Sequence, residues 1–414
     1  MRAPACVSAS NSTRDTGVGA LAMIGEEYSG GPVTAARERR LRPVTFVLGR
    51  AFTSERMSRL SMDKSFAILR KIRLCFSSRS APSTPMNEPI GDYLRAAILS
   101  GAIAALSASP FQNRSAPLAD HHQHLFSPAI VALIAAQPMS LTSVEPISAD
   151  DLIPLLDAAG IARAVVLSTA YMYGSPSRTV ENEYEKVKAE NDWTSNQIAR
   201  FPKRLLGFCS FNPLKEYAMQ ELERCARDPQ LRHGLKMHFG NSGVDYHNPQ
   251  HVSRLKEIFA AANRHGMTIL VHMRASITRK LPYGRPEALI FLKHLMPAAP
   301  DVPIQIAHLA GAGGYGDRPA DDALAVFAEA IEKDDPRTRR LWFDVTTVVL
   351  EKQAYLHPLI AKRIRQLGAQ RILYGSDASS GSHTPGEGWA TFRKIPLTDT
   401  EFETIAANVP PYMR

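Results

Sequence analysis

From about residue 117 onward, short apolar runs alternate with stretches whose apolar positions recur at helical spacing. The apolar runs lie at 163–168, 205–211, 234–238, 268–272, 303–308, 341–345 and 371–377. Helical patterns separate them at 180–200, 216–228, 249–265, 286–295, 320–333 and 354–367. A further helix before the run at 163 opens at Ser148, with Asp151 three positions on, which resembles a capping box. Counting the histidine-rich stretch at 120–128 as the first strand, eight strands alternate with helices, and that pattern predicts parallel βα units.

The polar residues at the ends of the last five runs sharpen this. Lys236, His272, His308, Asp344 and Asp377 are separated by 36, 36, 36 and 33 positions, the length of one strand, one helix and two loops. Reactive groups at successive strand C-termini fit a closed eight-stranded parallel (β/α)8 TIM barrel, which builds its active site at that end. An open doubly wound sheet shares the local pattern but draws its ligands from a few strands at the switch point. The barrel is the expected fold.

Thirteen histidines are spread over 414 residues, yet His121, His122 and His124 fall within four positions. On an extended strand Asp120, His122 and His124 share one face, while His121 and Gln123 turn away. Two imidazoles so spaced converge on one small cation, and His is the commonest metal ligand. The alternative is a surface cluster with no role. His272, His308 and Asp377 each end an apolar run, where a buried polar side chain is costly without a partner. Four cysteines (Cys6, Cys75, Cys209, Cys225) form no CxxC pair, so no disulfide framework is expected and His and carboxylate must hold any metal.

Charge changes the picture only for the leader. Residues 1–85 carry 14 Lys/Arg against 6 Asp/Glu, which is +8 of the +9 net charge, so the remainder is close to neutral. That leaves no basic signature of a nucleic-acid partner on the body. The basic, Ser-rich segment 1–85 reads as a disordered leader, transit-peptide-like, or as the product of a start assigned too far upstream of Met62 or Met86. Segment 86–116 reads as a signal peptide and linker: Arg95 precedes thirteen small or apolar residues, 96–108. An amphipathic helix is its alternative reading. A signal there implies a periplasmic or secreted protein; without it, a cytoplasmic one. No apolar run reaches the 18 residues of a membrane span.

From about residue 117 to its end, the chain resembles the amidohydrolase superfamily, and within it the amidohydrolase-related branch of metal-dependent hydrolases and decarboxylases. The resemblance rests on Asp120-x-His122-x-His124, Val271-His272, Ile306-Ala307-His308 and Tyr374-Gly375-Ser376-Asp377, with support from Asn191-Asp192-Trp193 and from 201–208. It implies one divalent metal, most often zinc, held by His122, His124, His272 and Asp377. It implies that His308 is a catalytic acid/base or carbonyl-polarising group, and that Asp377 shuttles a proton during attack by metal-activated water. In some superfamily members a fourth-strand Lys is carbamylated and bridges two metals, so Lys236 would mark a binuclear site. Its other readings are a cation for a substrate carboxylate and an ion pair with a barrel acid such as Asp344.

The loop 310–315 follows a strand but lacks the spacing of a dinucleotide fingerprint. A loop over the metal is expected there, bringing Tyr315 or Arg318 to substrate. Tyr171, Tyr173, Arg178 and Arg274 sit just past other strand ends, where a barrel reads its substrate, and Arg pairs with carboxylate. The expected partner is a small molecule bearing a carboxylate, with no nucleic acid and no membrane span; a homo-oligomer is compatible. Three functions compete. The first is hydrolysis of a C–N or C–O bond in an amide, lactone or cyclic imide. The second is non-oxidative decarboxylation of an aromatic or unsaturated acid. The third is a non-catalytic binding protein, against which the intact ligand set argues.

Overall fold

The structure is a computed structural model and describes residues 116–136, 144–378 and 383–413. The leader 1–85 and the signal-like run 95–108 lie outside the described residues. Eight strands form one parallel sheet in sequential order: β1 (Ala119–Gln123), β2 (Arg163–Leu167), β3 (Leu205–Ser210), β4 (Gly234–His238), β5 (Thr268–His272), β6 (Ile304–Ile306), β7 (Leu341–Asp344) and β8 (Ile372–Leu373). Closure runs from β1 to the segment after β8. The His121 N–H donates to Tyr374 O at 2.8 Å, and the Asp377 N–H donates to His122 O at 2.9 Å. The expected (β/α)8 barrel is therefore formed, and the bonds that close it set Asp377 beside His122.

Strand alternation divides the core. Val166, Met237, Val271 and Phe343 turn outward into the large cluster beneath the helices. Val165, Leu167, Leu206, Phe208 and Leu270, one position out of step, form a second cluster with Met413, flanked by Val409 and Tyr412. The C-terminal turn thus packs against the inward-facing residues. On that same inward face Lys236, Gln305 and Asp344 are fully buried.

The helices are α1 (Pro128–Ala135), α2 (Ala149–Ala158), α3 (Glu183–Ala199), α4 (Ala218–Arg227), α5 (Pro249–Arg264), α6 (Arg285–Ile290), α7 (Arg318–Glu332) and α8 (His357–Leu367). Each matches an expected pattern to within a few positions except α1, which the sequence reading left out, and α6, which passes at Phe291 into a turn of π-helix over Phe291–Leu295. The cap at Ser148 forms: Asp151 Oδ2 accepts from the Ser148 N–H at 2.8 Å and from its hydroxyl at 2.6 Å. Two further helices, α9 (Pro385–Phe392) and α10 (Asp399–Ala407), were not anticipated; both carry Thr–Glu capping boxes. Among the described residues no helix is long and apolar enough to cross a membrane.

One expectation is corrected. Cys209 of β3 and Cys225 of α4 form a disulfide, with their Cα atoms 6.0 Å apart. The pair is 16 positions apart with no CxxC spacing, and only the packing of α4 against β3 brings it together.

Candidate metal centre

At the C-terminal mouth of the barrel, donor atoms of His122, His124 and Asp377 all lie within 4.8 Å of one another, and all three residues are buried. What each imidazole presents there is set by what its other nitrogen touches. His122 Nδ1 lies 3.1 Å from Asp344 Oδ2, and His124 Nδ1 lies 2.7 Å from Leu167 O. His308 Nδ1 lies 2.9 Å from Thr346 O. Each of those oxygens can only accept, so Nδ1 carries the proton in all three rings and Nε2 is left as a lone pair. Burial is the first cause that holds these imidazoles below the ordinary histidine range, so they are neutral at pH 7.

Asp377 completes the group from the loop after β8. Its backbone has φ 53°, a left-handed conformation uncommon outside glycine, and among the described residues its Oδ1 is buried without a hydrogen-bond partner. Asp120 fixes the segment. Its carboxylate accepts from the Ser376 N–H at 3.0 Å, the Ser376 hydroxyl at 2.6 Å and Gln123 Nε2 at 2.8 Å. Asp120 is thereby a clamp on the 376–377 backbone, and burial pushes its carboxyl up to about 6. Neutral nitrogen lone pairs and an uncovered carboxylate oxygen, converging in a buried space, are the donor set that a divalent cation such as zinc or manganese takes. The residues present fit a metal.

His272 ends β5 opposite His238 in the β4–β5 register, and the two rings stack with centroids 3.9 Å apart. His272 lies outside the tight three-residue group, but its ring is 4.9 Å from that of His308, which is itself 4.9 Å from His122. Its Nδ1 is buried with no partner among the described residues. His308 is held in an unusual conformation: φ is 52° there, 48° at Leu309 and 68° at Ala310, and its N–H donates to Asp344 Oδ1 at 2.8 Å. This left-handed run ends the apolar segment two residues earlier than its pattern suggested. It also leaves His308 Nε2 buried and without a partner among the described residues.

A family profile described as Amidohydrolase matches residues 119–408, from the first barrel strand to the last helix. The chain belongs to the amidohydrolase family. Solved structures of similar shape include 5-carboxyvanillate decarboxylase from Sphingomonas paucimobilis, at 16% identity over 70% of this chain and 97% of that one, with a TM-score of 0.48. Another is a 5-carboxyvanillate decarboxylase from Novosphingobium aromaticivorans complexed with manganese and 4-hydroxy-3-methoxy-5-nitrobenzoic acid. It is 12% identical over 72% and 95% of the two chains, with a TM-score of 0.49. A probable 2-pyrone-4,6-dicarboxylic acid hydrolase from Acinetobacter baumannii, with citric acid bound, is 15% identical over 70% and 96%, with a TM-score of 0.46. No curated protein matches the chain.

The remaining expected site residues separate into those the enzyme brings to the centre and those it uses elsewhere. Lys236 is fully buried, with Nζ 3.1 Å from His122 Nε2. Burial pushes its ammonium down, and Asp377 and Asp344 oppose that shift. Among the described residues it forms no ion pair with Asp344, which is taken by His122, by Gln305 Nε2 at 2.8 Å and by the His308 N–H. Arg274 is already committed: Nε lies 2.5 Å from Asp317 Oδ2, and the guanidinium sits 4.7 Å from the Tyr283 ring centroid. The Tyr315 hydroxyl donates to Asp321 at 2.8 Å, and Arg318 is exposed in the first turn of α7. His121 turns to the C-terminal segment, 3.3 Å from both the Tyr412 hydroxyl and Asn408 O, away from the face of His122 and His124 as strand alternation predicts.

Two contributors escaped the sequence reading. Asp344 was noted as a strand end but not as the partner that orients His122. His238 ends the run 234–238, but its stacking on His272 is not visible there. The signal for both was their position at a strand terminus; the pairing itself depends on which strands become neighbours.

Proposed function

We propose that the enzyme is a metal-dependent hydrolase that cleaves a C–N or C–O bond of a small molecule such as an amide, lactone or cyclic imide. His122, His124 and Asp377 would hold one divalent cation, with His272 as the further ligand. When bound, such a cation polarises a substrate carbonyl and lowers the pKa of water to near 7. The observation that carries the reading is a pair of buried atoms with no partner among the described residues, His308 Nε2 and Asp377 Oδ1, at the mouth that also gathers the ligand set.

Both atoms are placed to exchange a proton with a bound substrate. With its proton on Nδ1, His308 offers a lone pair at Nε2, and this supports the acid/base role over carbonyl polarisation, which needs an N–H. Asp377 Oδ1, buried beside the ligand set, is placed to accept a proton and return it to a leaving group. Asp344 holds the His122 ring and the His308 backbone at once, so both strands keep one geometry.

Non-oxidative decarboxylation of an aromatic or unsaturated acid is the second reading, favoured by the buried cation Lys236 beside His122. One assay separates the two. Purified protein is analysed for metal, then offered lactones, amides, cyclic imides and aromatic acids. Hydrolysis yields ring-opened acid or free amine, whereas decarboxylation releases CO2. Absence of bound metal after reconstitution with zinc or manganese would remove both readings.

A further inference from the structure

Among the buried polar atoms without a partner, the most expensive belong to Arg178. Both its terminal nitrogens, Nη1 and Nη2, are shut away from solvent and meet no hydrogen-bond acceptor among the described residues. A guanidinium stays charged at any physiological pH, so it cannot escape this cost by losing a proton. Leaving such a charge buried and unpaired is strongly destabilising, and a ligand carboxylate would supply the opposite charge.

The loop that carries it is fixed. The Arg178 N–H donates to Ser175 O at 3.3 Å, and Asn212 Nδ2 donates to Gly174 O at 2.7 Å. The helical turn after β4, Phe239–Ser242, is packed against it: a Cβ at Gly243 would lie only 2.8 Å from Pro176 Cγ. That turn adds two more buried atoms without partners among the described residues, Asn241 Oδ1 and Ser242 Oγ. The same segment between β2 and α3 also carries Tyr171, which begins a chain of rings to the metal centre. Tyr171 lies 5.1 Å from His238, His238 3.9 Å from His272, and His272 4.9 Å from His308. The other arginine expected to read an anion, Arg274, is neutralised by Asp317.

We propose that Arg178 is the specificity residue of this mouth and receives the carboxylate of the substrate through its two terminal nitrogens. The fork of Nη1 and Nη2 matches the two oxygens of a carboxylate, and the bond is charge-assisted on both sides. The substrate class is then a small organic acid whose carboxylate is held at the β2 loop while another bond faces His308 and Asp377. This rests on the placement of the reaction at the His122–His124–Asp377 group.

The test pairs each acid with its uncharged amide: benzoate with benzamide, salicylate with salicylamide, and cinnamate with cinnamamide. Metal-reconstituted full-length chain is titrated with each, following the melting temperature and the Kd, with metal content measured in parallel. At least one acid is expected to stabilise the wild type where its amide does not. Arg178→Met should weaken that acid on the order of 10- to 100-fold, with metal content unchanged and the unliganded melting temperature no lower than that of the wild type. Arg178→Lys keeps the charge but loses the fork, so it should recover part of the affinity; it also serves if the Met variant fails to fold. Equal binding of acids and amides, unchanged acid affinity in both variants, or stabilisation by inorganic phosphate alone would overturn the proposal. Those results with metal still bound would leave the metal-centre reading standing, whereas loss of metal from the wild type would strike that reading instead.

Discussion

His122 and Asp344, 222 positions apart, are joined by a 3.1 Å hydrogen bond between Nδ1 and Oδ2, with neither side chain exposed. Burial alone would raise the Asp344 carboxyl. The His122 ring and its hydrogen bond, with His308 and its backbone N–H, outweigh burial and hold it well below the usual carboxylate range. The pair therefore combines an ionised acid with a neutral imidazole whose Nε2 is free of protons. That is the form a metal ligand must take.

Asp344→Asn removes the acceptor while preserving shape. Oδ2 also accepts from Gln305 Nε2 at 2.8 Å, so an amide there would set donors against each other. Metal affinity is expected to fall about 10- to 100-fold, as for other partners of metal-bound histidines. Zinc titration against a competing chelator checks it, and unchanged affinity would sink the orienting role.

His308→Ala should separate metal binding from turnover. His308 is assigned the proton and not the metal, so metal content should match wild type while kcat falls on the order of 10²- to 10⁴-fold. Loss of the metal itself would make His308 a ligand instead.

Lys236→Met tests the stoichiometry. The buried ammonium, 3.1 Å from His122 Nε2, is outside the proposed ligand set. One divalent ion per chain is expected in wild type and variant alike, by elemental analysis. A drop from two ions to one would identify Lys236 as a bridging ligand.

Gly375→Ala should strike the centre through packing. A Cβ there would overlap Thr346 Oγ1 and lie 2.6 Å from His122 Cβ. Overpacking of this kind costs about 1–3 kcal/mol, so the melting temperature and metal affinity should fall together. A normally folded, fully loaded variant would mean that the mouth is looser than its contacts indicate.

Stability should fall as pH drops below about 6.5. Burial lowers the pKa of His121 to about 4 and of His122 to about 3, and depresses His124, His238, His272 and His308 in the same direction. Between 6.5 and those folded values the unfolded chain takes up protons that the native chain refuses, so acid favours unfolding. Asp120, raised to about 6, and the similarly raised Glu190 and Asp377 act in the opposite sense. Six histidines against three acids leave the net direction unchanged. Melting temperatures of metal-free protein from pH 7.5 to 4.5 decide it, and a flat profile would contradict the burial of these rings.

Strand-and-helix alternation from residue 117 and the spacing of Lys236, His272, His308, Asp344 and Asp377 determined the barrel, because a βα unit has a nearly fixed length. The x-His-x-His stretch likewise showed that His122 and His124 share a face, since side chains on a strand alternate. Tertiary structure decided what those residues meet. The closing bonds from His121 to Tyr374 and from Asp377 to His122 exist only once the first and last strands are neighbours. The same is true of Asp344 on His122, of Arg274 spent on Asp317, and of Arg178 left unpaired. A hydrogen bond across hundreds of residues leaves no periodicity in the chain, so partners of this kind, and the Cys209–Cys225 disulfide with them, become visible only in the folded molecule.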